Sequence, residues 1–178
     1  MKKILVFGVW ILITIINSCT GNKNTSESLE KNYVKIIGYG LFHEIEWQTE
    51  TQVLINDSTD FIEYLYPADL AKPDSFSIHV VKRIILNDSI LVYYDDTTRL
   101  ISSKTYTIDG EETEVRKYFS DAGKLADGEY HIYWNDDVGL ISLQNQAWGN
   151  FEMFYYENEK LSQVLKADTL GLFDRLGD

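Results

Sequence analysis

Three histidines, two pairs of adjacent aspartates and one thiol are the residues on which this chain could build chemistry. A metal centre would need His43, His79 and His131 to converge, and no His-x-His or His-x-x-x-His spacing brings two of them together. Each falls inside a predicted strand, so scattered strand histidines and no metal are expected. In His43-Glu44-Ile45-Glu46 the period of two points His43 away from both glutamates. Asp95-Asp96 and Asp136-Asp137 could serve acid–base catalysis only if two carboxyls stood about 5–10 Å apart across a bond, one of them with a raised pKa. Adjacent aspartates at turns are instead read as solvated turn residues, and no Asp-x-Asp-x-Asp-Gly loop supports calcium. Gly-x-Ser-x-Gly, Ser-x-x-Lys and phosphate-loop motifs are absent from the sequence. No catalytic residue and no cofactor is therefore expected, and a hydrolase using clustered carboxylates is the remaining enzymatic alternative.

Aromatic residues carry more information. The chain has four tryptophans, twelve tyrosines and eight phenylalanines, concentrated between positions 93 and 156. Aromatic pairs recur at predicted strand ends: Tyr93-Tyr94, Tyr118-Phe119, Tyr133-Trp134 and Tyr155-Tyr156. In a strand, one ring of each pair faces each side of the sheet. Tyr94, Tyr118, Tyr133, Trp134, Tyr155 and Tyr156 could thus form an exposed strip for a small apolar ligand, a glycan or an envelope protein. The alternative is a second covered face, under a helix or under the sheet's own curvature.

The thiol, Cys19, ends an N-terminal segment of distinct character. Lys2 and Lys3 precede an apolar run at 4–16, about 20 Å long as a helix, which is short for a bilayer core of about 30 Å. The length suits a signal-peptide core. Ile16-Asn17-Ser18-Cys19 resembles the lipobox of bacterial lipoproteins, with an aliphatic residue three before the cysteine and a small residue just before it. That resemblance implies cleavage after Ser18, lipidation of Cys19, and attachment to a membrane on the extracytoplasmic side of the cell envelope. Several acyl chains on one residue would anchor stably. Residues 19–32 are polar and read as a flexible tether.

Charge and length bound the remainder. The full chain has 178 residues and a net charge of −12. Cleavage after Ser18 removes two lysines and no acid, taking the charge to −14. Such a polyanion repels phosphate backbones, and no basic stripe offsets it, so nucleic-acid binding is not expected. One cysteine excludes an internal disulfide framework. Residues 33–178 suffice for a single domain with a core of its own.

The elements that must position these residues are mostly strands. From Tyr33 onward apolar residues recur with period two: Val34 and Ile36; Ile45 and Trp47; Phe76, Ile78, Val80, Ile84 and Leu86. Asp109-Gly110 and the acid-rich segments after each aromatic pair read as tight turns. Both prolines, Pro67 and Pro73, fall early, leaving 74–167 free for an uninterrupted ladder. A short helix is expected near 58–66, capped by Asp57 or Ser58 and stopped by Pro67, with a second helical turn at 68–71. The 124–133 stretch, Lys-Leu-Ala-Asp-Gly-Glu-Tyr-His-Ile-Tyr, is similar to MORN-variant repeats of the YwqK antitoxin type. Gly149-Asn150-Phe151 through Tyr156 echoes it. That similarity implies an interaction or immunity-type protein. The expected fold is mainly β, with α+β as an alternative. It is a curved antiparallel meander of about seven to nine strands ending at Lys166, one short helix, and a loosely docked tail from 168 to 178.

Overall fold

β-Branched and aromatic residues with period two do build strands here, and eleven of them form one sheet. The structure, a computed structural model, describes residues 32–67, 76–83, 90–94, 96–121, 128–157, 159–169 and 171–173. The expected signal segment, Cys19 and all of the expected tether but Asn32 lie outside these residues, as do the expected turn at 68–71 and residues 124–127 of the MORN-like stretch. Asn32 belongs to the first strand.

The strands are β1 (Asn32–Tyr39), β2 (Ile45–Asp57), β3 (Phe61–Pro67), β4 (Phe76–Arg83), β5 (Leu91–Tyr93), β6 (Asp96–Thr97), β7 (Arg99–Ile108), β8 (Glu111–Asp121), β9 (Glu129–Asn135), β10 (Gly139–Asn145) and β11 (Phe151–Tyr155). Their order across the sheet is β6-β5-β4-β3-β2-β1-β11-β10-β9-β8-β7, with every described pairing antiparallel. Each strand lies beside its sequence neighbour except at β6/β7, and β11 returns to pair with β1. The meander is thus a ring with one break. An open array of repeated hairpins would not bring its last strand back to its first. β2 is the bend: residues up to Val53 pair with β1, and Leu54 to Asp57 pair with β3. Asp109 and Gly110, at φ 55° and 91°, make the β7–β8 turn, as the Asp-Gly dipeptide predicts.

The helix expected near 58–66 is the strand β3. Ile62, Tyr64 and Tyr66 alternate inward, and burial of two tyrosine rings outweighs the weak helical spacing. Ser58 closes the β2–β3 turn instead of capping a helix. Its hydroxyl accepts from Phe61 N at 3.2 Å and donates to Phe61 O at 2.9 Å. The helix is elsewhere: α1 (Lys160–Ala167) stands where the sequence leads one to expect the last of the meander. Leu161 and Leu165, one turn apart, form its buried stripe, and the Ser162 hydroxyl donates to Phe154 O at 2.5 Å. In its described residues, up to Phe173, the tail does not dock loosely. Asp168 accepts from Leu172 N at 3.0 Å, Tyr106 Oη at 2.6 Å and Lys104 Nζ at 2.8 Å, and Phe173 beyond it is fully buried.

Two cores follow. The inner face carries Val34, Ile36, Val53, Tyr64, Tyr66, Ile78, Val80, Leu91, Tyr93, Tyr118, Ile132, Trp134, Leu140, Leu143 and Phe154. This core joins β3–β5 to β8–β11 across the ring. The outer face packs Ile37, Tyr39, Tyr106, Val115, Tyr133, Ile141, Phe151 and Met153 beneath α1, Leu172 and Phe173.

One polar knot ties the inner core. The β9–β10 register slips between Leu140 and Ser142, leaving the Leu140 backbone to other partners. Leu140 N donates to Tyr66 Oη at 3.2 Å, and Tyr156 Oη donates to Leu140 O at 2.8 Å. The two hydroxyls lie 3.1 Å apart, so with the Tyr66 hydroxyl donating to Tyr156 every proton in the ring is placed. Tyr66→Phe strands the buried Leu140 N–H. A loss of about 1–3 kcal/mol is expected in urea unfolding, with the slope unchanged. A neutral result would show that another acceptor takes the Leu140 N–H.

Candidate functional site

The β1–β2 and β10–β11 loops and Tyr94 after β5 lie at the end of the ring where β1 finishes, since antiparallel neighbours alternate direction. The inner wall near this end is built from a row of paired residues: Trp47 on β2 opposite Gly38 on β1, Gly38 opposite Glu152 on β11, and Glu152 opposite Leu143 on β10. A methyl group on Gly38 would overlap the Trp47 indole, so the ring lies over the glycine, whose partner on the other side is Glu152. From β5, Tyr93 points inward. Tyr94 follows it to the same side because its backbone is left-handed at φ 52°, with ring centroids 4.8 Å apart. Tyr130 on β9 stands 5.6 Å from Tyr93.

Glu152 is the unusual member of this group. It is partly buried and makes no side-chain hydrogen bond or ion pair among the described residues. Burial alone pushes its carboxyl up to about 7. Burial also raises the Tyr93 and Tyr94 hydroxyls, and proximity to Glu152 and Tyr130 adds to both, so these phenols stay neutral at physiological pH. Trp47 is 41% exposed and Tyr94 45%, so the group borders solvent. What results is a mouth: aromatic walls, a neutral phenol cluster and one carboxyl without a partner. Such an arrangement suits recognition of a small ligand.

The rim is apolar. Tyr39 pairs with Phe151, which sets the β1–β2 loop beside the β10–β11 loop. Gly40 N donates to Glu44 O at 2.9 Å, holding Leu41 and Phe42 outward, with Phe42 85% exposed. The Asn145 side chain accepts from Ala147 N and Trp148 N, both at 2.9 Å, presenting Trp148 at 62% exposure.

Residues singled out from sequence distribute differently. Tyr118, Tyr133 and Trp134 are fully buried, Tyr155 and Tyr156 are half-buried, and only Tyr94 is exposed. No continuous exposed strip forms. Tyr118 and Trp134 face the inner core, while Tyr133 packs on Phe173 at 5.1 Å; ring curvature covers one face and α1 with the tail covers the other. Within the mouth the sequence reading finds Tyr94 and misses Trp47, Tyr130 and Glu152. The signal for Glu152 is an acid in the apolar strand Phe-Glu-Met-Phe-Tyr, on the face it shares with Phe154. His43 is not in a strand but in the β1–β2 loop at φ 64°, edge-on to Phe151 at 5.8 Å. His79 lies on β4 and His131 on β9. Among the described residues no three His, Cys, Asp or Glu side chains gather to hold a metal ion.

Asp96 and Asp136, one from each acid pair, sit at opposite ends of the ring. Asp96 is at the mouth end, where Ser120 Oγ lies 3.2 Å away, and Asp95 is outside the described residues. Asp136 is at the far end, 2.7 Å from Lys82 Nζ and 3.0 Å from Arg116 Nη1, accepting also from Trp134 Nε1 at 3.0 Å. Burial would raise the Asp136 carboxyl, but these donors outweigh it and hold it below the usual range. An ion-paired Asp136 cannot share a proton with Asp137, so that pair makes no catalytic dyad. A cleft of about 270 Å³ between α1 and the β7–β8 and β9–β10 turns is bridged by Lys160 Nζ on Asp109 at 2.5 Å. No helix among the described residues is long and apolar enough to cross a membrane. Compared with protein-family models, with curated proteins and with solved structures, the chain finds no match in any of the three.

Proposed function

We propose that this protein is a non-catalytic lipoprotein of the bacterial cell envelope that binds a small, largely apolar ligand at the mouth of its sheet. The carrying observation is Glu152, a carboxyl without a partner among the described residues, grouped with Tyr93, Tyr94 and Tyr130 and one strand from Trp47's partner Gly38. An isolated buried acid destabilises a fold unless something else uses it. The lipobox-like Ile16-Asn17-Ser18-Cys19 supports the anchor, and a net charge of −14 supports a domain held off anionic lipid by its tether.

Two experiments test the two halves. The neutral fluorescent probe N-phenyl-1-naphthylamine is expected to bind at one saturable site, and Trp47→Ala with Tyr94→Ala is expected to abolish the signal while leaving the far-ultraviolet spectrum intact. Unsaturable or unchanged fluorescence would refute the mouth as a site. Metabolic labelling with an alkyne fatty acid is expected to mark the wild type and not Cys19→Ala, which should leave the membrane fraction. Equal labelling of both would refute the anchor.

A second reading, docking of an envelope protein on the rim, is favoured by the exposure of Phe42 and Trp148 on two hydrogen-bonded loops. Phe42→Ser with Trp148→Ser separates the two: it would abolish partner capture and leave probe binding unchanged.

A further inference from the structure

We infer that the mouth receives an organic cation, with an alkylammonium head placed between the faces of Trp47 and Tyr94 and against the Glu152 carboxylate. This rests on the ligand-binding reading and names the chemical class of its ligand. Aromatic faces carry negative charge density and attract a cation strongly where water is partly excluded. Trp47 offers a face rather than an edge because Gly38 leaves the space above β1 free for it. The left-handed turn at Tyr94 brings a second ring to the same side, against Tyr93, with Tyr130 behind. An uncharged apolar ligand would use these rings and leave Glu152 desolvated and without a partner. An anion would be repelled by it. A cation satisfies both.

Among the described residues, the charged groups at this end of the inner face are acidic. At the β1–β2 loop the Glu44 and Glu46 carboxylates come together beside Gly40, at the edge of the mouth. β6 contributes Asp96, to which Ser120 of β8 is turned. β5 and β9 face Glu152 with tyrosines, β10 with Leu143, and β1 with Gly38. The Arg99 guanidinium lies over the Phe119 ring at 5.6 Å, on the side of the sheet away from this wall. A negative potential over an aromatic recess draws cations in and excludes anions.

The test compares choline with 3,3-dimethylbutan-1-ol, the neutral isostere in which carbon replaces nitrogen, by calorimetry and by the Trp47 indole N–H resonance in the intact domain. Choline is expected to bind and to shift that resonance, with the alcohol about tenfold weaker or more. Glu152→Gln, which preserves shape and hydrogen-bonding capacity, is expected to weaken choline by about tenfold or more and leave the alcohol unchanged. Since the carboxylate is the binding form, choline affinity should also fall by roughly tenfold per pH unit below 7 in the wild type and stay flat in Glu152→Gln. Equal affinity for the two compounds, or indifference of choline to Glu152→Gln, overturns the cation and leaves the mouth as a site for neutral ligands. Binding of neither compound overturns the cation inference; the saturable site for N-phenyl-1-naphthylamine then decides separately whether the mouth binds ligands at all.

Discussion

Phe173→Ala is expected to destabilise the domain by about 3–5 kcal/mol, lowering the thermal midpoint by roughly 6–20 °C. The ring is fully buried, 5.1 Å from Tyr133 and 5.3 Å from Phe151, and it covers the outer face of the sheet together with α1. Removing it opens a cavity against β9 and β11, two strands whose inner faces already form the other core. The backbone around it is held by Asp168, which accepts from Lys104, Tyr106 and Leu172 and so cannot collapse freely into the space. Burial would raise the Asp168 carboxyl, yet those three donors outweigh it and hold it low, so its contribution persists until pH falls through the acid range. Phe173→Leu keeps most of the volume and should recover more than half of the loss. A midpoint within about two or three degrees of wild type would show that the tail does not belong to the cooperative unit.

Glu152→Gln is expected to act in the opposite direction and to depend on pH. In the unfolded chain this carboxyl ionises near its ordinary 4.5, and in the native protein near 7. Its raised folded value favours the native state while the group is protonated, and that stabilisation fades as pH rises through about 7. The full swing is about 3 kcal/mol. The glutamine side chain of the variant cannot ionise, and no hydrogen bond of Glu152 among the described residues is lost with the change. At pH 8 the variant should therefore be more stable by up to about 3 kcal/mol, or several degrees, while at pH 4 the two proteins should melt together. Asp136 and Asp168 work in the other sense, because their lowered folded values give stability that is lost on acidification. These three contributions together should accordingly peak near the ordinary carboxylate values and decline from there towards pH 7. A variant less stable than wild type at pH 8 would show that Glu152 has a partner or stands in free solvent.

A large part of the sheet is legible because period two is a local signal. Val34 and Ile36, Ile78 and Val80, and the Asp109-Gly110 turn all lie where alternation and turn chemistry place them. Phe61-Ile62-Glu63-Tyr64-Leu65-Tyr66 misleads because a short apolar run satisfies helical and strand spacing alike. Burial of Tyr64 and Tyr66 against residues seventy or more positions away decides between them. α1 is hidden for a related reason: Tyr155-Tyr156 resembles the strand-end pairs before it, but the segment that follows carries Leu161 and Leu165 one turn apart and makes a helix. The aromatic pairs make no strip because both faces of the sheet find cover, one from the ring's curvature and one from a tail whose docking is non-local. The mouth is only partly readable. Tyr94 stands out by type, whereas Glu152 and Trp47 become a pair only through β1, where Gly38 separates them, and β1 meets β11 across more than one hundred residues of chain.

Carbon-13 titration of the Glu152 side-chain carboxyl, assigned by its loss in Glu152→Gln, addresses the desolvated acid at the mouth most directly. An inflection near pH 7 is expected, moving downward when choline is added. An inflection at the ordinary carboxylate value near 4.5, unmoved by choline, would mean a solvated surface acid and would remove the ligand site built around it.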